Sequence, residues 1–226
     1  MQVSAEVRWF WPDLPTELDE WFRRSASHPF PAGGGKQRND DYLVDPDQTE
    51  LGLKRRGQKL GVEVKGLVVK EWASLNVRPF SGIIELWTKW TTQKLELRST
   101  TTIRKARWLR KFDMTSQSPE EVPLDDSELL LHSRVLPAYG CNVEFTKVTL
   151  PGNQVWWTLG FESFGPISTL ERSLCAAATT LAGRHPPELG PACKVGILLW
   201  PNGTGALIAS YPVWLRERSY SPTEVK

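Results

Sequence analysis

The chain has 226 residues, with 28 Lys and Arg against 26 Asp and Glu, a formal charge of +2 and 40% hydrophobic residues. This composition excludes collagen, a coiled coil and wholesale disorder, and no apolar run reaches the roughly 20 residues of a membrane-spanning helix. The near-balanced charge exerts no global pull toward nucleic acid, so any preference for anions has to come from where the cations are placed.

Three cysteines, Cys141, Cys175 and Cys193, are too few and too scattered for a disulfide framework or a zinc site, which predicts a reducing, cytoplasmic compartment. The residues from Met1 to Glu6 lack a basic region followed by an apolar one, so no secretory signal is expected. Eleven Trp residues suit barrels and sheet faces, where a large apolar ring with one N–H finds cover.

Along the chain, Glu6 to Trp11 alternates and predicts a strand that Pro12 ends. Leu18, Trp21 and Phe22 then fall at i, i+3 and i+4, which predicts an amphipathic helix near residues 15–24. A glycine loop at Gly33–Gly35 precedes a dense strand region. Strands are expected at Asp41–Val44, Thr49–Arg56, Gly61–Val69, Ser81–Thr91, Leu95–Ile103 and Ala106–Phe112. Met114–Asp126 reads as a polar loop, and Asn142–Leu150 with Gln154–Phe164 as a hairpin across Pro151-Gly152-Asn153. Ile167–Leu181 predicts a second helix, with Pro166 before it and Gly183 after it. Lys194–Trp200 and Ala206–Trp214 predict a closing hairpin that turns at Asn202-Gly203. Successive antiparallel strands with few helices and no break in composition predict one α+β domain over residues 1–226. Its core spans about 6–215 as a closed barrel or tunnel, its two helices pack outside, and residues 216–226 form a flexible tail.

Strand residues at i and i+2 share a face. Glu6 with Arg8, Lys54 with Arg56, Glu63 with Lys65, Glu85 with Trp87 and Lys89, and Lys105 with Arg107 are therefore charged faces, and Glu144 and Glu162 stand on two later strands. A sheet with one wet side alternates in the same way. A closed barrel with a polar lumen fits the pattern as well. A lumen of Lys and Arg suits phosphate oxygens, and carboxylates among them suit Mg²⁺ or Mn²⁺.

The order Asp41-Tyr42-Leu43, Glu50-Leu51-Gly52-Leu53-Lys54-Arg55-Arg56 and Val62-Glu63-Val64-Lys65-Gly66 resembles the CYTH superfamily of triphosphate tunnel enzymes, which includes thiamine triphosphatases and class IV adenylyl cyclases. Ile103-Arg104-Lys105-Ala106-Arg107, Asn142-Val143-Glu144-Phe145, Leu159-Gly160-Phe161-Glu162 and Ala209-Ser210-Tyr211 are similar to that family's later elements, so the likeness spans about residues 6–215. The resemblance implies a tunnel in which Lys54, Arg56, Lys65, Lys105 and Arg107 face phosphates. Glu6, Glu144 and Glu162 would hold Mg²⁺ or Mn²⁺, and Glu6 and Glu162 would serve catalysis. The family's first-strand Glu-x-Glu-x-Lys is replaced here by Glu6-Val7-Arg8-Trp9-Phe10, so Arg8 joins the phosphate-facing cations and the amine is lost at Phe10.

Three functions follow as expectations. The first is metal-dependent triphosphate hydrolysis. The second is non-catalytic binding of a small phosphorylated anion, which the extra cation Arg8 favours. The third is a protein-interaction domain docking through Trp9, Trp11 and Trp21. In the tunnel, Arg8 is expected to pair with Glu6 or Glu162. Nucleic acid and membrane are not expected partners: strand alternation splits Arg55 from Lys54 and Arg56, and the net charge is small. His28, His132 and His185 have no catalytic spacing, and Gly33-Gly34-Gly35-Lys36 lacks the spacing and following hydroxyl of a phosphate loop.

Overall fold

The computed structural model describes residues 1–30, 34–45, 47–57, 59–131, 135–190, 192–194 and 206–219. Its elements run β1 (Gln2–Trp11), α1 (Thr16–Arg24), β2 (Lys36–Leu43), β3 (Leu51–Arg56), β4 (Val62–Val77), β5 (Phe80–Thr92), β6 (Thr101–Asp113), β7 (Glu120–Val122), β8 (Gly140–Thr149), β9 (Val155–Phe164), α2 (Ile167–Ala182), β10 (Ala192–Lys194), β11 (Ala206–Ile208) and α3 (Tyr211–Ser219). Eight strands close into one antiparallel barrel in the order β1-β5-β4-β3-β2-β6-β8-β9. β9 returns to β1 along a register from Ser4↔Phe164 to Trp11↔Trp157.

Closure gives each strand an inside and an outside, and β1 shows how the sequence uses both. Ala5, Val7, Trp9 and Trp11 point outward into the main core, while Ser4, Glu6, Arg8 and Phe10 point into the lumen. The outward residues are covered by Leu18, Trp21 and Phe22 of α1 and by Leu170, Leu174, Ala177, Ala178 and Leu181 of α2. The small alanines of α2 let that helix lie close to the sheet, and both helices pack outside the barrel as their spacing predicts. β4 and β5 run on past the barrel through irregular register near Leu67–Ala73, carrying Leu75, Phe80 and Ile84 into the same core. The expected docking surface of Trp9, Trp11 and Trp21 is therefore absent, because all three rings are buried there.

The C-terminal region departs most from expectation. In place of a closing hairpin, β11 is three residues long, pairs with β1 and lies parallel to β10. Tyr211–Ser219 is helical and not a strand running to Trp214. Tyr211, Trp214 and Leu215 fall at i, i+3 and i+4, and Pro212 stands in the first turn, where its missing N–H costs nothing. Residues 195–200, the turn at Asn202-Gly203 and the tail beyond Ser219 lie outside the described residues. Instead of packing outside, α3 lies across one end of the barrel. Trp214 stacks on Phe10 with ring centroids 4.6 Å apart, and Tyr211 stacks on Tyr42 at 5.8 Å. Ile103, Val148, Leu150 and Trp156 complete this second apolar cluster. Two smaller corrections concern β6 and β7. Of the expected strand Leu95–Ile103 only Thr101–Ile103 is extended in the sheet, and it runs on into Ala106–Phe112 as one continuous β6, since no turn-forming residue interrupts the alternation at 104–105. Residues 95–100 are not strand, and the polar loop after β6 contains β7.

Candidate functional site

The barrel encloses a charged lumen around a cavity of about 70 Å³. Its wall is supplied strand by strand by inward residues: Glu6 and Arg8 from β1, Arg38 and Tyr42 from β2, Lys54 and Arg56 from β3, and Glu63 and Lys65 from β4. Lys89 comes from β5, Lys105 and Arg107 from β6, Glu144 from β8 and Glu162 from β9. All nine site residues expected from the sequence line it. Arg55, as alternation requires, is exposed outside.

The ion pairs follow from the register. Arg8 and Glu144 lie on opposite sides of Gly160, which is paired with both. A Cβ at Gly160 would sit 2.5 Å from Cζ of Arg8, so the missing side chain makes the space the guanidinium fills. Arg8 donates to Glu144 Oε1 at 2.5 Å and to Thr158 Oγ1 at 3.2 Å. The expected pairing of Arg8 with Glu6 or Glu162 is thus replaced by Glu144, which Gly160 leaves reachable. Arg107 donates to the second Glu144 oxygen at 3.0 Å. Burial alone would raise the Glu144 carboxyl, but Arg8 and Arg107 hold it well below the usual range. Lys65 pairs with Glu6 and Lys89 with Glu162. Burial of Glu162 is outweighed by Lys89 and Lys65, which bring its carboxyl down to about 2.

Near the α3 end the balance tips positive. Asp40, fully buried, faces Arg38 at 3.2 Å, Lys105 at 3.5 Å and Lys54 at 4.0 Å. Lys105 donates to the Tyr42 hydroxyl at 2.6 Å and stands 3.8 Å from the Tyr211 ring centroid, a cation–π position. Glu63 accepts from Lys54 and Arg56, each at 2.9 Å. Burial of Glu63 is outweighed by Lys54 and Arg56, which lower its carboxyl to about 2. Six carboxylates (Glu6, Asp40, Glu63, Glu144 and Glu162 from the strands, and Glu128 from the loop before β8) therefore serve eight cations (Arg8, Arg38, Lys54, Arg56, Lys65, Lys89, Lys105 and Arg107). The lysines register the surplus. Burial, then the charge of Arg56, push Lys54 down to about 8, and burial with Lys54 pushes Lys105 well below its ordinary value. The buried Tyr211 hydroxyl and Arg56 Nε have no hydrogen-bond partner among the described residues. Fixed cations, amines short of counter-charge and unpaired donors are the groups whose chemistry suits phosphate or sulfate oxygens.

Sequence reasoning missed Arg38 and Asp40 as wall residues, because the strand was expected from Asp41 and begins at Lys36. Arg38, Asp40 and Tyr42 alternate, so the signal was present three residues upstream. Lys89 was placed on the right face but given no role. Glu128, which caps Arg107, comes from a loop whose residues carry no periodicity.

A closed eight-stranded antiparallel barrel with a cation-rich lumen is the class of molecule these observations define. Comparisons with protein-family models, curated proteins and solved structures find no match for the chain.

Proposed function

We propose that the barrel is an anion-binding tunnel that takes a small polyphosphorylated ligand between Lys54, Arg56, Lys65, Lys105 and Arg107, with binding rather than hydrolysis as its main activity. The observation that carries this reading is the charge imbalance of the lumen, which leaves Lys54 and Lys105 short of counter-charge inside a closed wall. A bound polyanion supplies the missing negative charge and favours the protonated form of both amines. The barrel's closure and the order of its charged strands support likeness to the CYTH tunnel proteins. The changes at Arg8 and Phe10 separate it from their catalytic members. Glu6, Glu144 and Glu162, the residues that would hold Mg²⁺ or Mn²⁺, are each engaged by a Lys or Arg. Among the described residues no group of three His, Cys, Asp or Glu gathers to hold a metal ion. In this arrangement the carboxylates position cations, and no step is assigned to a metal.

Isothermal titration with inorganic tripolyphosphate, in EDTA and separately in Mg²⁺, tests the proposal, with phosphate release measured in parallel. Stoichiometric binding in EDTA with little phosphate release is the expected result. No binding under either condition would overturn the reading, and robust Mg²⁺-dependent release would put hydrolysis in its place.

A further inference from the structure

The loop between β7 and β8 delivers one carboxylate into the end of the lumen opposite α3. Glu128 accepts from both Nε and NH2 of Arg107, the first at 2.8 Å, in the two-pronged geometry that a phosphate would adopt on the same fork. Lys36 Nζ stands 3.7 Å from the same carboxylate. The remaining Arg107 donor, NH1, is held by Glu144, so every face of this guanidinium is engaged.

The loop is built to hold Glu128 there. Asp125 Oδ1 accepts from the backbone N–H groups of Ser127 and Leu129 at 2.8 Å each. The Glu128 N–H donates to the Asp125 carbonyl, also at 2.8 Å. Glu128 itself has φ of +61°, a left-handed conformation that a residue with an extended side chain adopts at a cost. Its neighbour Leu129 is 64% exposed, so the left-handed turn is not there to bury that leucine. The side chain inserted into the lumen mouth is what the turn gains.

We infer that Glu128 is a built-in competitor that occupies the phosphate fork of Arg107, so that a ligand enters only by displacing this carboxylate and swinging the 123–131 loop aside. The inference rests on the anion-tunnel reading and adds a threshold to it. A ligand that engages only Arg107 gains little over what Glu128 already provides, whereas one that spans Arg107 and the deeper Lys54–Lys105 cluster gains the difference. Glu128 is thus a specificity-determining residue favouring extended polyanions over single phosphates.

Titration of the full chain with inorganic tripolyphosphate, wild type against Glu128→Gln and Asp126→Asn, tests this. Asp126 is exposed on the same loop and removes the same charge without touching Arg107. Glu128→Gln should bind about 10-fold tighter and Asp126→Asn within twofold of wild type. In hydrogen exchange, saturating tripolyphosphate should speed exchange of the Ser127 and Leu129 amides in wild type. Equal or weaker binding by Glu128→Gln, or an equal gain from Asp126→Asn, overturns the competitor while leaving the anion tunnel standing. Slower loop exchange on binding overturns it as well. If no variant binds, the tunnel reading itself fails and this inference falls with it.

Discussion

Arg8 occupies the point where β1, β8 and β9 meet around Gly160, and its always-charged guanidinium decides what the neighbouring carboxylates can do. With Arg8 in place, Glu144 is spent on two arginines. Arg8→Glu sets a second carboxylate beside Glu144 and leaves Arg107 to serve both. The variant is expected to lose about 3–5 kcal/mol in urea denaturation, the usual cost of breaking a buried pair. It should also gain a rise in melting temperature with Mg²⁺ that wild type lacks. A melting temperature indifferent to Mg²⁺ in both proteins would show that the new carboxylate and Glu144 do not complete a cation site while Lys65 and Lys89 hold Glu6 and Glu162. Gly160→Ala tests the other side of the same contact. Its methyl must push the guanidinium off Glu144, and overpacking of this kind costs about 1–3 kcal/mol. Because the clash is with Arg8, that cost should largely vanish in an Arg8→Ala background, which a double-mutant cycle measures directly.

At the scale of elements, a buried cluster fastens the two outer helices to the barrel. Arg110 of β6, 1% exposed in its side chain, is held by Glu121 of β7 at 2.7 and 2.8 Å, and by Ser25 after α1. Arg184, just past α2, reaches the same Glu121 at 2.5 Å. Glu121→Gln leaves Arg110 charged and buried without its partner, so unfolding free energy should drop by about 3–5 kcal/mol. A loss under 1 kcal/mol in a urea melt would mean that Ser25 and the backbone carbonyls suffice. How far the elements were legible follows from what kind of signal each carries. Alternation exposed the lumen faces of β1, β3, β4 and β6, an i, i+3, i+4 stripe exposed α1, and Pro166 and Gly183 bracketed α2. The same stripe exists in α3, but Tyr211, Pro212, Val213 and Trp214 also favour extended structure. Only the aromatic partners Phe10 and Tyr42, remote in sequence, settle it as a helix. Glu121 sits in a strand of only three residues, too short to show alternation, and Glu128 lies between regular elements, where spacing says nothing about what a side chain will meet.

For the whole molecule, titration should divide into two windows. Glu63, Glu121 and Glu162 sit at about 2 in the fold against an ordinary 4.5. For Glu121, burial is outweighed by the Arg110 hydrogen bonds and charge. Depressed carboxylates give stability that is fully present above the unfolded value and is lost as pH falls through 4.5 toward 2. The urea midpoint should therefore be level from neutrality to about pH 5 and drop steeply below it; a flat profile down to pH 3 would contradict the pairing described. The basic window belongs to Lys54, lowered from 10.5 to about 8 by burial and Arg56. Its charged form is disfavoured in the fold, so this group adds stability as pH rises from 8 to 10.5 and withdraws a cation from the lumen over the same range. Affinity for sulfate, whose own charge is constant there, should weaken as pH passes through about 8, and titrations at and above that midpoint should take up protons from the buffer. Sulfate binding that strengthens with alkalinity would exclude Lys54 as a contact.

The barrel closes through β1 and β9, and Arg8 reaches Thr158 across a separation of 150 residues. A seam joining such distant segments makes this a high-contact-order chain whose rate is governed by topology more than by local propensity. On a ribosome adding roughly 5–20 residues per second, β1 waits about 10–30 s for its partner strand to be made. Through that interval Trp9, Phe10 and Trp11 have no barrel to enter, and an unpaired strand edge runs alongside them. The segment that completes the tunnel is therefore also the one most exposed to wrong partners during synthesis. Chaperone dependence should concentrate on the first dozen residues.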